Sequence, residues 1–160
     1  ALKTQEKISS DNTNIIVKGA APEPIVAPPV PTENKSIKTK FGREVYKNNG
    51  VEFIIMKENE TMFLISQKFS IPVWKLYVYN DLKPGQTIEV GGIIYIQPKK
   101  LRAEKPFISH KVQKGETLHS ISQLYGVTLQ RLAKMNKVDI DNTIEEGTNI
   151  FIRKQVIQFE

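Results

Sequence analysis

Residues 110–126 read HKVQKGETLHSISQLYG, and the fold of the chain turns on them. His110-Lys111-Val112 is a short β-prone run, and Lys114-Gly115 is a turn signal. Thr117 offers a helix N-cap oxygen, after which Leu118, Ile121 and Tyr125 recur at helical spacing. Gly126 supplies the left-handed residue that closes such a helix. Thr128 predicts the cap of a second helix carrying Leu129, Leu132 and Met135. A polar loop after Asn136 leads to Gly147, and Asn149-Ile150-Phe151-Ile152 reads as a second strand. The predicted order is strand, helix, helix, strand.

The same text stands 56 residues earlier. Residues 54–96 align with 110–152 without a gap, with 13 identities in 43 positions, far above chance for so short a window. The identities include Glu60/Glu116, Thr61/Thr117, Ile65/Ile121, Gln67/Gln123, Leu76/Leu132, Asn80/Asn136 and Gly91/Gly147. The first copy alters the punctuation. Pro72 replaces Thr128, where its fixed φ suits a helix start. Asn59 replaces Gly115 and tolerates left-handed geometry. Ser70 replaces Gly126 without that tolerance, so the first helix is expected to end differently from its counterpart.

Outside the repeats the chain is simpler. Gly19–Pro31 holds five prolines and reads as an extended spacer. Asn49-Gly50 separates two β-prone runs and predicts a hairpin feeding the first repeat. The resulting division is 1–42 flexible Pro-rich linker, 43–50 first arm of a β-hairpin, 51–98 first module, 99–106 charged connector, 107–154 second module and 155–160 tail.

Composition removes most enzyme chemistries. The 160 residues contain no cysteine and two histidines, His110 and His119, which excludes thiolate and His-rich metal sites. His119 and Ser120 are helical neighbours whose side chains point apart, so they form no nucleophile–base pair. Repeats of this size leave little room for two carboxylates straddling a glycosidic bond. No catalytic residue, metal or cofactor is expected.

The net charge of +6 is unevenly placed. Residues 51–98 carry −1 and 107–152 carry zero, while residues 1–50 and the connector 99–106 carry +3 each. A nucleic-acid binder needs its basic excess on the folded surface, so that partner is not expected. The longest apolar run, Val90–Ile96, is far short of the roughly 20 residues of a membrane span. Without an initiating Met or an apolar leader core behind Ala1, the chain reads as a processed product or an excised fragment.

The ordered series resembles the LysM module, whose members read as an apolar strand, Gly-Asp-Thr-Leu, Ile, an aromatic residue with Gly, Leu, Asn, Ile and a closing Gly-x-x-Leu-x-Ile-Pro. Here the second copy has Gly115-Glu116-Thr117-Leu118, Ile121, Tyr125-Gly126, Leu132, Asn136, Ile144 and Gly147 through Ile152. The first has Asn59-Glu60-Thr61-Met62, Ile65, Phe69, Leu76, Asn80, Ile88 and Gly91 through Pro98. The two modules span about 60% of the chain. The resemblance implies an α+β fold of two βααβ modules, each with both helices on one face of a two-stranded antiparallel sheet. It also implies binding of N-acetylglucosamine glycans, peptidoglycan or chitin, in the bacterial cell envelope, periplasmic or extracellular. Tandem copies look like the tail of bacterial wall amidases and glucosaminidases, whose catalytic domain lies upstream in the same parent chain.

By position, the resemblance places the second glycan groove at Gly115, Glu116, Thr117 and Leu118 facing Val138, Asp139 and Ile140. The first comprises Asn59, Glu60, Thr61 and Met62 facing Leu82, Lys83 and Pro84. Met62, Leu118 and Ile140 are expected to seat an acetamido methyl group. Structural duties compete for the same residues. Thr61 and Thr117 are explained by N-capping, and Glu60 and Glu116 by the positive end of a helix dipole. Trp74 and Tyr77 match Gln130 and Ala133, so they are expected to pack on a surface unique to the first module rather than to stack on sugar. These differences and Asn59 also motivate a second reading, a protein-interaction tail with weak or lost sugar binding.

Overall fold

The computed structural model describes residues 36–154. The proline spacer and the tail 155–160 lie outside the described residues. Module 1 comprises β1 (Lys38–Lys40), β2 (Arg43–Asn48), β3 (Val51–Ile55), α1 (Met62–Phe69), α2 (Val73–Tyr79) and β4 (Ile93–Tyr95). Module 2 comprises β5 (Ser109–Lys111), α3 (Leu118–Tyr125), α4 (Leu129–Asn136) and β6 (Asn149–Phe151). The protein is α+β. No helix among the described residues is long and apolar enough to cross a membrane.

The repeat is carried into the sheets pair by pair. β3 and β4 pair antiparallel with Ile54 opposite Ile94, and β5 and β6 with His110 opposite Ile150, the same register displaced by 56. In each module the helices bury one stripe on this sheet. Ile65, Phe69 and Leu76 meet Ile54, Ile94 and Ile96 in module 1. Ile121, Tyr125 and Leu132 meet Val112, Ile150 and Ile152 in module 2. Each such side chain contributes about 1.5–3 kcal/mol when fully buried.

An identical asparagine ties the second helix to the last strand in both copies. Asn80 Nδ2 donates to the carbonyls of Leu76 (2.8 Å) and Tyr95 (3.0 Å), and its Oδ1 accepts Tyr95 N–H at 2.7 Å. Asn136 repeats this with Leu132 and Phe151 at 2.9, 2.8 and 2.7 Å.

Module 1 carries two additional strands, giving a four-stranded sheet in the order β1-β2-β3-β4. Asn49 (φ 52°) and Gly50 (φ 73°) turn the chain between β2 and β3. The flexible-linker boundary at residue 42 requires correction, because β1 and the turn after it belong to the sheet. Phe41 (φ 52°) and Gly42 (φ 72°) make that turn, and Ile37 N–H bonds to the Val45 carbonyl. The left-handed Phe41 is held by its ring, edge-on to Phe69 at 5.7 Å, a contact that local turn chemistry does not announce.

Ser70 is a second correction. It occupies the left-handed region (φ 55°, ψ 39°) just as Gly126 does (φ 65°, ψ 33°), so both first helices end alike. The helix terminus imposes this backbone, and Ser70 bears the steric cost. Thr128 heads α4 but makes no side-chain cap bond.

The modules dock through a polar seam. Buried Tyr95 accepts from Asn48 Nδ2 (2.9 Å) and donates to the Gln123 carbonyl (2.5 Å). Asn48 Nδ2 also reaches the Leu124 carbonyl at 2.6 Å, and Asn49 Nδ2 that of Gly126 at 3.2 Å. Gln123 Nε2 donates to Asn80 Oδ1 (3.1 Å) and to the Ile93 carbonyl (3.0 Å). Lys99, fully enclosed, donates to Ser122 Oγ (3.0 Å) and Gln123 Oε1 (2.7 Å) and pairs with Asp81 at 2.7 Å. Burial pulls its ammonium down to about 8, outweighing the attraction of Asp81. Cores this small bury too little surface to be very stable alone, and the seam joins them.

Candidate functional site

In module 2 the strand-to-helix loop is organised by Glu116. Its Oε2 accepts the Gln113 N–H at 2.7 Å and meets His110 Nε2 at 2.7 Å. His110 Nδ1 lies 2.9 Å from the Tyr125 hydroxyl, so a chain of polar groups runs from the buried face of the helix out to the loop. Burial, with the nearby Glu116 charge, holds the Tyr125 phenol well above its ordinary range. Gly115 (φ 81°) makes the turn. Thr117 Oγ1 accepts Ser120 N–H at 3.0 Å while Ser120 Oγ accepts Thr117 N–H at 2.9 Å, a reciprocal capping box.

Module 1 builds the same loop from different parts. Asn59 takes the left-handed position (φ 60°), and Thr61 Oγ1 accepts Leu64 N–H at 3.1 Å. Glu60 Oε2 accepts Lys57 N–H at 3.0 Å, matching Glu116. Its cation is Arg43, contributed by β2, whose other guanidinium nitrogen donates to the Ile55 carbonyl at 2.6 Å. The dipole account of both glutamates is therefore incomplete: each carboxylate folds back to bind the turn amide three residues earlier and a basic side chain. The position of His110 holds Ile54 in module 1, so the added hairpin restores a partner that the strand lacks.

The other predicted groove loops leave α2 and α4 through left-handed Asp81 (φ 50°) and Lys137 (φ 55°). Leu82 N–H bonds to the Tyr77 carbonyl (3.0 Å) and Val138 N–H to that of Ala133 (3.1 Å), which seats both side chains half-buried against their cores. Lys83, Pro84, Asp139 and Ile140 are exposed beyond them.

Met62 and Leu118 are corrected as acetamido seats. They are 3% and 1% exposed because each is the first inward residue of its helix and joins the core. Ile140, 44% exposed, is the remaining apolar side chain of the three at the surface. Trp74 is corrected too. It is 61% exposed, because the inward stripe of α2 runs through Val73, Leu76 and Tyr77, which turns Trp74 outward beside Lys75. Tyr77 does pack on the module 1 core.

The seam residues Lys99, Asp81, Gln123 and Asn48 were not singled out by the sequence. The identity Gln67/Gln123 was a faint signal, since a glutamine in a helix needs no copy. Asp81, opposite Lys137, gave none.

A family model described as "LysM domain" matches residues 55–97 and 110–153, more than half of the chain. Comparison with curated proteins gives no match. Among solved structures the chain is similar to the spore cortex-lytic enzyme SleL of Bacillus cereus, at 23% identity over 66% of this chain and 23% of that one, with a TM-score of 0.29. SleL of Bacillus megaterium QM B1551 matches at 21% identity over 64% and 22%, with a TM-score of 0.28. The chain thus spans less than a quarter of the length of those enzymes. LysM domains generally bind N-acetylglucosamine glycans such as peptidoglycan and are typical of cell-wall or extracellular proteins. With two matched modules in one register, the chain belongs to the LysM domain family.

Proposed function

We propose that this chain is a non-catalytic tail that binds N-acetylglucosamine glycan, peptidoglycan first, and targets an attached wall hydrolase, a glucosaminidase or amidase lying upstream, to the bacterial envelope. The observation that carries the reading is the stapled strand-to-helix loop repeated in both modules, and the exposed loop after the second helix is assigned as the other wall of each groove. Gly115, Glu116, Thr117, Val138, Asp139 and Ile140 form the second groove, with Leu118 supporting it from below. Asn59, Glu60, Thr61, Leu82, Lys83 and Pro84 form the first over Met62. Backbone groups of these loops pair with the acetamido group, and the sugar ring rests on what apolar surface they expose.

Shallow polar grooves bind weakly because sugar hydroxyls must be desolvated. Docking of the modules holds the grooves at a fixed separation, so one glycan strand of matching repeat engages both and gains effective concentration.

The test is an NMR titration with N-acetylglucosamine oligomers. Amide shifts centred on residues 115–118 and 138–140 support the reading, and shifts at 59–62 and 82–84 bring in the first groove. Absence of shifts at millimolar sugar, together with absence of binding to purified peptidoglycan, overturns it. A protein-interaction tail is the second reading, favoured by the exposed apolar side chains Phe63 and Trp74; saturable binding to an envelope protein without wall binding would establish it.

A further inference from the structure

An open depression on module 1 is lined by Phe63, Ser66, Gln67, Ser70 and Val73, with Ile71 and Pro72 at its floor turn. At the repeat offset these five positions are His119, Ser122, Gln123, Gly126 and Leu129, the residues with which module 2 docks on module 1 and on Lys99 of the connector. Val127 and Thr128, matching the floor turn, pair with Lys100 of the connector. Module 1 therefore carries a second copy of the docking face, uncovered among the described residues.

This face is not finished as an end. Terminal units of a stacked array have a polar outer surface, yet Phe63 is 59% exposed on this face, and Leu64, Trp74 and Val78 are exposed elsewhere on α1 and α2. The matching positions in module 2 are His119, Ser120, Gln130 and Lys134, all polar.

The chain also carries a second copy of the corner that fills such a face. Asn80, Asp81 and Tyr95 of module 1 correspond to Asn136, Lys137 and Phe151 of module 2. Tyr95 is buried in the seam, whereas Phe151 is 44% exposed. At the Asp81 position Lys137 offers no acceptor, but at the Gly126 and Tyr95 positions the two uncovered copies differ from the docked pair in matching ways. A Cβ at Gly126 would meet Asn49 Cβ at 3.1 Å, the Tyr95 hydroxyl at 3.2 Å and the Asn48 carbonyl at 3.4 Å. Ser70 has that Cβ. The module 2 corner has no hairpin before its first strand and has Phe151 in place of tyrosine, so none of the three obstructing groups is present there. His119 meets the Asn80 carbonyl at 2.8 Å, and Phe63 in its place sets an apolar ring where the corner would bring the Asn136 carbonyl.

We propose that copies of this chain associate head to tail, the Asn136–Phe151 corner of one seated on the Phe63–Val73 face of the next. Such a contact is heterologous and leaves a face and a corner free at the ends, so it extends rather than closes unless the rotation makes a ring.

The experiment is sedimentation equilibrium of the full chain from micromolar to millimolar concentration, with Phe63→Ser and Phe151→Ser. Both side chains are exposed, so both variants retain the fold, which circular dichroism checks. The wild-type mass should climb past that of a dimer, and each variant alone should remain monomeric. An equimolar mixture should form a one-to-one heterodimer, because each variant keeps the surface the other has lost. A wild-type chain that stays monomeric, one that stops at a dimer, or a mixture that behaves as its components do, overturns the proposal.

Discussion

The carboxylate of Asp81, on the loop after α2 in module 1, accepts the backbone N–H of Leu129 at the start of α4 in module 2, at 2.9 Å. It does for α4 what the Thr128 side chain does not. The same oxygen pairs with enclosed Lys99. One residue thus caps a helix of the other module, compensates a buried cation and opens the loop that carries Leu82, Lys83 and Pro84.

Replacing Asp81 therefore strands a buried charge. Asp81→Ala should cost about 3 kcal/mol or more in urea denaturation, whereas adding Lys99→Met should recover part of the loss. A double variant no better than the single would show that the pair is not coupled.

Stability should depend on pH through the seam. Lys99 ionises at about 8 in the folded protein, against an ordinary 10.5 in the unfolded chain. Between those values the unfolded state binds more protons, so stability rises as pH climbs from 8 towards 10. Tyr95 acts oppositely: burial raises its folded value above 10, so its contribution is present below pH 10 and is lost as pH rises further. Urea midpoints should peak near pH 10, and Lys99→Met should remove the ascending limb.

Gly126→Ser and Ser70→Gly are reciprocal substitutions at one backbone geometry. Gly126→Ser adds both left-handed strain and a Cβ pressed on Asn49, and should cost about 2 kcal/mol or more. Ser70→Gly removes strain alone and should stabilise by at most about 1 kcal/mol, since glycine also loses more chain entropy on folding. Thermal midpoints measure both.

The repeated asparagines should not be equal. Asn136→Ala removes three hydrogen bonds and should cost about 2–3 kcal/mol. Asn80→Ala should cost more, because Asn80 Oδ1 also accepts from Gln123 across the seam. Equal losses by chemical denaturation would argue that the seam contributes nothing there.

Trp74→Ala should change stability by no more than about 0.5 kcal/mol. As the single tryptophan, Trp74 should fluoresce as a water-exposed indole in the dilute folded protein, and a blue-shifted spectrum would contradict its exposure.

The sequence by itself determined the modules. Hydrophobic period, the caps Thr61 and Thr117, and Asn-Gly and Gly-terminated turns are local signals, and their repetition at one offset established two βααβ units. The sequence also located the loops proposed for glycan, because loop position follows from element order. Tertiary structure decided what those residues do. Glu60 and Glu116 look alike in text, yet one is partnered by a hairpin arginine and the other by a strand histidine, because the partner is set by packing across the sheet. Met62 and Leu118 sit in the groove series but face inward, a matter of helix phase. Gln67 and Gln123 are identical, and only the second is buried, because only module 2 turns that face onto a neighbour. Docking depends on surfaces brought together from positions as many as 77 residues apart, and no local pattern encodes which of two similar faces meets which corner.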